Sequence, residues 1–194
     1  MPQAPHPDPS PGKPRRAVRV ACGEHVRRPP SGGTVTASPA ETTAPLVVRD
    51  LPAPPPLVHR AWTEADLLAR WIGPRGYTVP RDTVTVEPYV GGRFDYCMVD
   101  AADDTEGDTT DRGRHWLRNH ITELAAPHLL VLTSAPMVEY GIPAPVNTRI
   151  YLAPAPPGTR LTFTRPYPPE RRPTARATWT TSFDNLEALL RTLT

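Results

Sequence analysis

Apolar positions recur with a period of two between residues 83 and 166, and with a helical period only at the two flanks of that stretch. In "GGRFDYCMVD" (91–100) Phe94, Tyr96 and Met98 share one side of an extended chain, with Arg93 and Asp95 on the other. The reason is that successive side chains of a strand point to opposite faces. "TVTVEP" (83–88) alternates in the same way through Val84 and Val86. "GRHWLRNHITEL" (113–124), "HLLVLTSA" (128–135), "VNTRIYL" (146–152) and "TRLTFTRP" (159–166) predict four more strands, separated by turn-rich joints such as "APAPPGT". "LVVRD" (46–50) predicts a strand ahead of them all. Sequential strands with short joints predict an antiparallel meander.

Two short helices are expected before the meander. "APPPLVHRAW" (53–62) predicts a helix despite its prolines, because the first-turn N–H groups of a helix have no intrahelical partner to lose. "AWTEADLLARWIGPRGYT" (61–78) predicts a second, with Thr63 as its cap and Asp66 three residues on. Its apolar face is Leu67, Leu68, Trp71 and Ile72, with Gly73 in the left-handed position after the last turn and Pro74 as the stop. The chain closes with "ATWTTSFDNLEALLRTL" (177–193), where Trp179, Phe183, Leu186, Leu190 and Leu193 recur at spacings of 4, 3, 4 and 3, a long amphipathic helix. One apolar sheet face and one long apolar helix are buried together when the sheet curls round the helix, an α+β arrangement.

Composition changes this picture mainly at the N-terminus. Ten of the 28 prolines fall in residues 1–45, where no periodicity survives, so this segment is expected to be a disordered Pro-rich extension to a domain over 46–194. Its six basic and three acidic residues make it either a weak binding arm or a passive tail. A native start near Val35 is expected, which would leave residues 1–34 dispensable for stability. The formal net charge of +2 provides no strong field for nucleic acid, and no run of 18 apolar residues predicts a membrane span. Cys22 and Cys97 are too far apart in the sequence to suggest a disulfide framework. With no signal-peptide run at the N-terminus, a cytoplasmic location is expected.

The order strand, two short helices, meander, long helix resembles the helix-grip fold of the START-like superfamily, also called SRPBCC. Within it, the chain is most similar to bacterial proteins related to the activator of the ninety-kilodalton heat-shock-protein ATPase. The residues that carry the resemblance are Ala61-Trp62 and "RWIGPRGYT", where the family usually reads R-W-W-G-P-x-G-[FY]-T. "GGRFDY", "ITELAAPHLLVLT", "GTRLTFT" and "FDNLEALL" follow in the family's order. Ile72 for the usual second tryptophan, an acidic insertion near 100–112 and the absence of the common Gly-Trp in "ATWTTSFDNL" depart from it. The resemblance implies a cavity between sheet and long helix, with the two short helices forming one lip shaped by Trp71 and the Gly73-Pro74 break.

Candidate chemistry is sparse. His59, His115, His120 and His128 are the histidines of the folded region, and the odd offset of His115 from His120 puts them on opposite faces of one strand, unable to share a metal. No metal or cofactor is expected. "DAADDTEGDTTD" (100–111) fails as a calcium loop, because Gly107 at the sixth position places Ala102 at the first ligand position. Cys97 lies opposite the Phe94, Tyr96 and Met98 face, and nothing near it in sequence would lower its pKa. His120, Arg149, Tyr151 and Arg165 are the polar residues that could project inward, although the phase of the alternation leaves either face open to each.

Three functions stay in view. The first is a binding protein for a small apolar ligand held by Trp71, Phe94, Tyr96, Met98, Phe163, Trp179 and Phe183. The second is an enzyme of the polyketide cyclase or aromatase kind, which would need an inward acid or base such as His120 or Tyr151. The third is a co-chaperone with a chaperone partner, implied by the family's name. The fuller eukaryotic activator brings an additional chaperone-binding domain that residues 1–45 cannot supply.

Overall fold

The long strands place buried apolar residues on one face of a single sheet along most of its width. The computed structural model describes residues 44–102, 113–138 and 141–194. Strand β1 (Val47–Leu51) leads into helix α1 (Pro55–Thr63) and the single turn of α2 (Ala65–Leu68). Two minimal strands, β2 (Tyr77–Thr78) and β3 (Thr85–Val86), precede the long strands. These are β4 (Arg93–Asp100), β5 (Arg114–Ala125), β6 (Leu129–Ser134), β7 (Val146–Ala155) and β8 (Gly158–Thr164). Helix α3 (Arg172–Leu193) ends the chain.

The strands form one open antiparallel sheet in the order β1-β8-β7-β6-β5-β4-β2, with β3 also on β4. The meander runs from β4 to β8, and β1 joins its far edge through Val47 opposite Phe163 and Arg49 opposite Leu161. The inner face carries Phe94 and Tyr96 from β4, Ile121 from β5, Leu130 and Leu132 from β6, Ile150 and Leu152 from β7, and Leu161 and Phe163 from β8, all buried. Phe183, Leu186, Leu189 and Leu190 of α3 complete this core. The second half of α3 is also pinned to β1 by charge. Arg49 places Nη1 at 2.6 Å from Asp184 and Nη2 at 2.5 Å from Glu187, and Glu187 also meets Arg191 at 2.6 Å. These cations, Arg191 foremost, hold the Glu187 carboxyl below the usual carboxylate range.

The expected α+β helix-grip layout is therefore the observed one, with differences in detail. Thr63 does not cap α2: its hydroxyl donates to the His59 carbonyl inside α1 at 2.9 Å, and Glu64 takes the cap position without a side-chain capping bond, its carboxylate accepting from Arg60 instead. Asp66 turns outward to pair with Arg81 instead. Gly73 does not have a positive φ; the left-handed glycine in that stretch is Gly76, at φ 88°. What Gly73 provides is close approach, since a Cβ there would sit 3.0 Å from the Tyr77 carbonyl oxygen. The segment expected as a strand over 83–88 opens as a 3-10 turn, Arg81–Thr83, with the Thr83 hydroxyl donating to Pro80 at 2.7 Å. Only its middle pairs with β4. Helix α3 begins five residues earlier than its apolar spacing predicts, with Pro173 in its first turn where no N–H is needed. The expectations for residues 1–43, and for 103–112 of the acidic insertion, lie outside the described residues.

Candidate functional site

Most of the aromatic residues expected to hold a ligand are spent on one another. Trp62 meets Trp71 edge-on with centroids 4.6 Å apart. Phe183 stands 6.3 Å from Trp62, 6.2 Å from Trp71 and 5.3 Å from Phe163. The Trp71 indole N–H donates to the Ala61 carbonyl at 2.9 Å, so its polar atom is satisfied without leaving the core. Trp62, Trp71, Phe94, Phe163 and Phe183 are fully buried side chains. Trp71, Phe94, Phe163 and Phe183 are therefore packed in the core, and none of the four is in the lining of the open space described next.

The open space lies toward the start of α3. A cavity of about 550 Å³ is bounded by Tyr96 and Met98 of β4, Leu117 of β5, Ala175 and Trp179 of α3, and Ile72 beyond α2. It exists because of a change in side-chain size along one helix. The second half of α3 presents Phe183, Leu186, Leu189 and Leu190 to the sheet, whereas the first half presents one large residue, Trp179, beside the smaller Thr174, Ala175 and Thr178. Small groups opposite a wide strand face leave volume unfilled. The near rim is fixed by hydrogen bonds from α3: Ser182 Oγ donates to the Ile72 carbonyl at 3.1 Å and Asn185 Nδ2 to the Gly73 carbonyl at 2.9 Å. Ile72 and Pro74 thus form the lip expected of Trp71.

Three of the seven ligand-binding candidates, Tyr96, Met98 and Trp179, are in this wall. Burial pushes the Tyr96 phenol far above its usual pKa despite the opposing effect of Arg165, so it is a neutral group. Trp179 donates its indole N–H to the Tyr167 hydroxyl at 3.2 Å. Of the four polar residues whose direction was open, only Arg165 faces in. It continues the inward parity of Thr159, Leu161 and Phe163 one residue beyond β8. Arg149 is exposed and pairs with Glu123 at 3.2 Å. His120 and Tyr151 are exposed on the outer face, which corrects the expectation that either could serve as a base in the cavity. The histidine that reaches the lining is His115, on the opposite parity of the same strand, edge-on to Tyr77 at 5.6 Å.

The sequence reading also passed over Met137, Tyr167 and Ala175, all in the wall. Ala175 lies four residues before Trp179 on the same stripe, a signal visible once Pro173 is allowed in a first turn. Among the described residues, no group of three His, Cys, Asp or Glu side chains is placed to hold a metal ion, and no helix is long and apolar enough to cross a membrane.

A family model described as Activator of Hsp90 ATPase homolog 1-like protein matches residues 52–191. No curated protein matches the chain. Among solved structures, a protein from Nitrosomonas europaea is 25% identical with a TM-score of 0.61, over 76% of this chain and 94% of that one. A protein from Chromobacterium violaceum is 23% identical with a TM-score of 0.60, over 74% of this chain and 94% of that one. The AHSA1 protein from Silicibacter pomeroyi is 20% identical with a TM-score of 0.59, over 76% of this chain and 97% of that one.

Proposed function

This chain belongs to the Activator of Hsp90 ATPase homolog 1-like family, within the START-like superfamily, and on that premise we propose that it binds a small apolar molecule in the cavity under the first half of α3. The superfamily often binds hydrophobic ligands. The observation that carries the reading is the contrast within one helix–sheet interface: a closed aromatic core at one end and about 550 Å³ of lined space at the other. That volume lies within the roughly 300–1,000 Å³ range of small-molecule sites, and a mostly apolar wall with a few polar groups is their usual character. The binding unit is the domain over 46–194. A cyclase-like reaction finds no support in His120 or Tyr151, which lie on the other side of the sheet, and no observation favours a chaperone partner.

A neutral apolar dye, N-phenyl-1-naphthylamine, tests this reading because it carries no charge to attract. Its fluorescence is expected to rise on binding the wild-type protein. Ala175→Trp fills the cavity from an incompletely buried position of α3 and should weaken dye binding at least about tenfold, or about 1.4 kcal/mol, with little change in melting temperature. Equal dye binding by both proteins would place the dye elsewhere and remove the support for this site.

A further inference from the structure

Arg165 is the only charged side chain buried among the described residues, at 4% exposure, and it lines the cavity. Its neighbours are neutral. Nη1 donates to the Thr148 hydroxyl at 3.1 Å, Nη2 to the Met137 sulfur at 3.0 Å, and the guanidinium carbon lies 5.7 Å from the Tyr167 ring centroid. Its Nε–H has no partner among the described residues. No carboxylate of the described residues forms an ion pair with it. The carboxylate in the cavity lining, Glu170, is exposed.

Seven arginines outside the cavity do have a carboxylate partner. Arg49, Arg60, Arg81, Arg93, Arg149, Arg160 and Arg191 each meet an Asp or Glu, and none of them is buried. The fold thus supplies anions where water already screens the charge and none where screening is poorest. A buried guanidinium is costly without a counter-charge, and a hydroxyl, a thioether and a ring edge or face compensate only in part. Arg114 and Arg171 add positive charge to the exposed part of the lining, opposed there by Glu170.

Resting on the proposal that this cavity is the ligand site, we infer that its ligand is an apolar monocarboxylate, whose head group pairs with Arg165 while its apolar body lies against Met98 and Trp179. A planar carboxylate matches the planar donor edge of a guanidinium, and its single negative charge matches the single buried cation. An uncharged acceptor could occupy the N–H groups but would leave the charge uncompensated.

The test uses three ligands of one shape, 2-naphthoate, 2-naphthalenemethanol and 2-naphthylmethylammonium, each displacing N-phenyl-1-naphthylamine from the full-length protein. The naphthoate is expected to bind at least about tenfold tighter than the alcohol, as hydrogen bonds to a charged group allow, with the ammonium weakest. In Arg165→Met the naphthoate should lose that advantage while the alcohol keeps its affinity, a ratio that a purely structural role for Arg165 would not change. If the variant does not fold, the ranking in the wild-type protein decides alone. Dye binding with the alcohol equal to or tighter than the naphthoate overturns the carboxylate assignment and leaves the apolar cavity standing, as does a preference that survives in Arg165→Met. Failure of the dye itself to bind would instead remove the cavity reading on which the assignment rests.

Discussion

Phe183→Ala should destabilise the protein by about 3–5 kcal/mol, the cost of truncating a fully buried phenylalanine in a core that cannot collapse around the gap. Phe183 stands within 6.3 Å, centroid to centroid, of Trp62, Trp71, Phe163 and Trp179, and these rings come from two helices, the turn after α2 and a strand. Rings held by one another in this way have little freedom to move into the void. Met98→Ala, in the cavity wall, removes a side chain that already borders open space and should cost much less. Urea denaturation of both variants measures the difference. Equal losses would mean that the two ends of the helix–sheet interface are packed alike, contrary to the division described above.

Gly158→Ala should cost on the order of 3 kcal/mol, because the added methyl has no room and its neighbours are backbone. A Cβ at Gly158 would collide with the carbonyl oxygen of Leu51 and lie 3.0 Å from the Leu51 carbonyl carbon and 3.1 Å from the Ala53 nitrogen. The chain is tight here because β1 ends against the start of β8, where the buried Thr159 hydroxyl donates to the Ala53 carbonyl at 2.6 Å. Relief requires β1 to separate from β8, which would also disturb the Arg49 link to α3. A thermal melt within a degree or two of wild type would show that the joint yields more easily than its geometry implies.

How much of this was legible in the sequence depended on how local the governing physics is. The alternation that opens β4 and runs through β8 placed Phe94, Tyr96, Met98 and Phe163 on the inner face correctly, because a strand's parity is a property of its own residues. In β5 the apolar residues Trp116, Leu117, Ile121 and Leu124 fall on both parities, and pairing with β6 shifts register between Ile121 and Glu123. The sequence therefore could not tell that His115 faces in and His120 out. Local capping rules assigned Thr63 to α2, yet its hydroxyl is taken by α1 and Asp66 is taken by Arg81. What the alternation could not show is whether an inward residue meets core or cavity. That is decided across the interface, by Ala175 opposite one part of the sheet and Phe183 opposite another, and no single-segment pattern contains it. The unpaired state of Arg165 was hidden for the same reason, since it depends on which residues of β7 and the segment after β6 fold around it.

The most direct test of the account follows methionine methyl and tryptophan indole signals by NMR while N-phenyl-1-naphthylamine is added. Met98, Met137 and Trp179 line the cavity, whereas Trp62 and Trp71 sit in the closed core. Saturation is expected to shift the Met98 and Met137 methyls and the Trp179 indole through the ring currents of the dye, with the Trp62 and Trp71 indoles nearly unmoved. Shifts centred on Trp62 and Trp71, or a bound dye that leaves Met98, Met137 and Trp179 unchanged, would contradict the placement of the ligand site under the first half of α3.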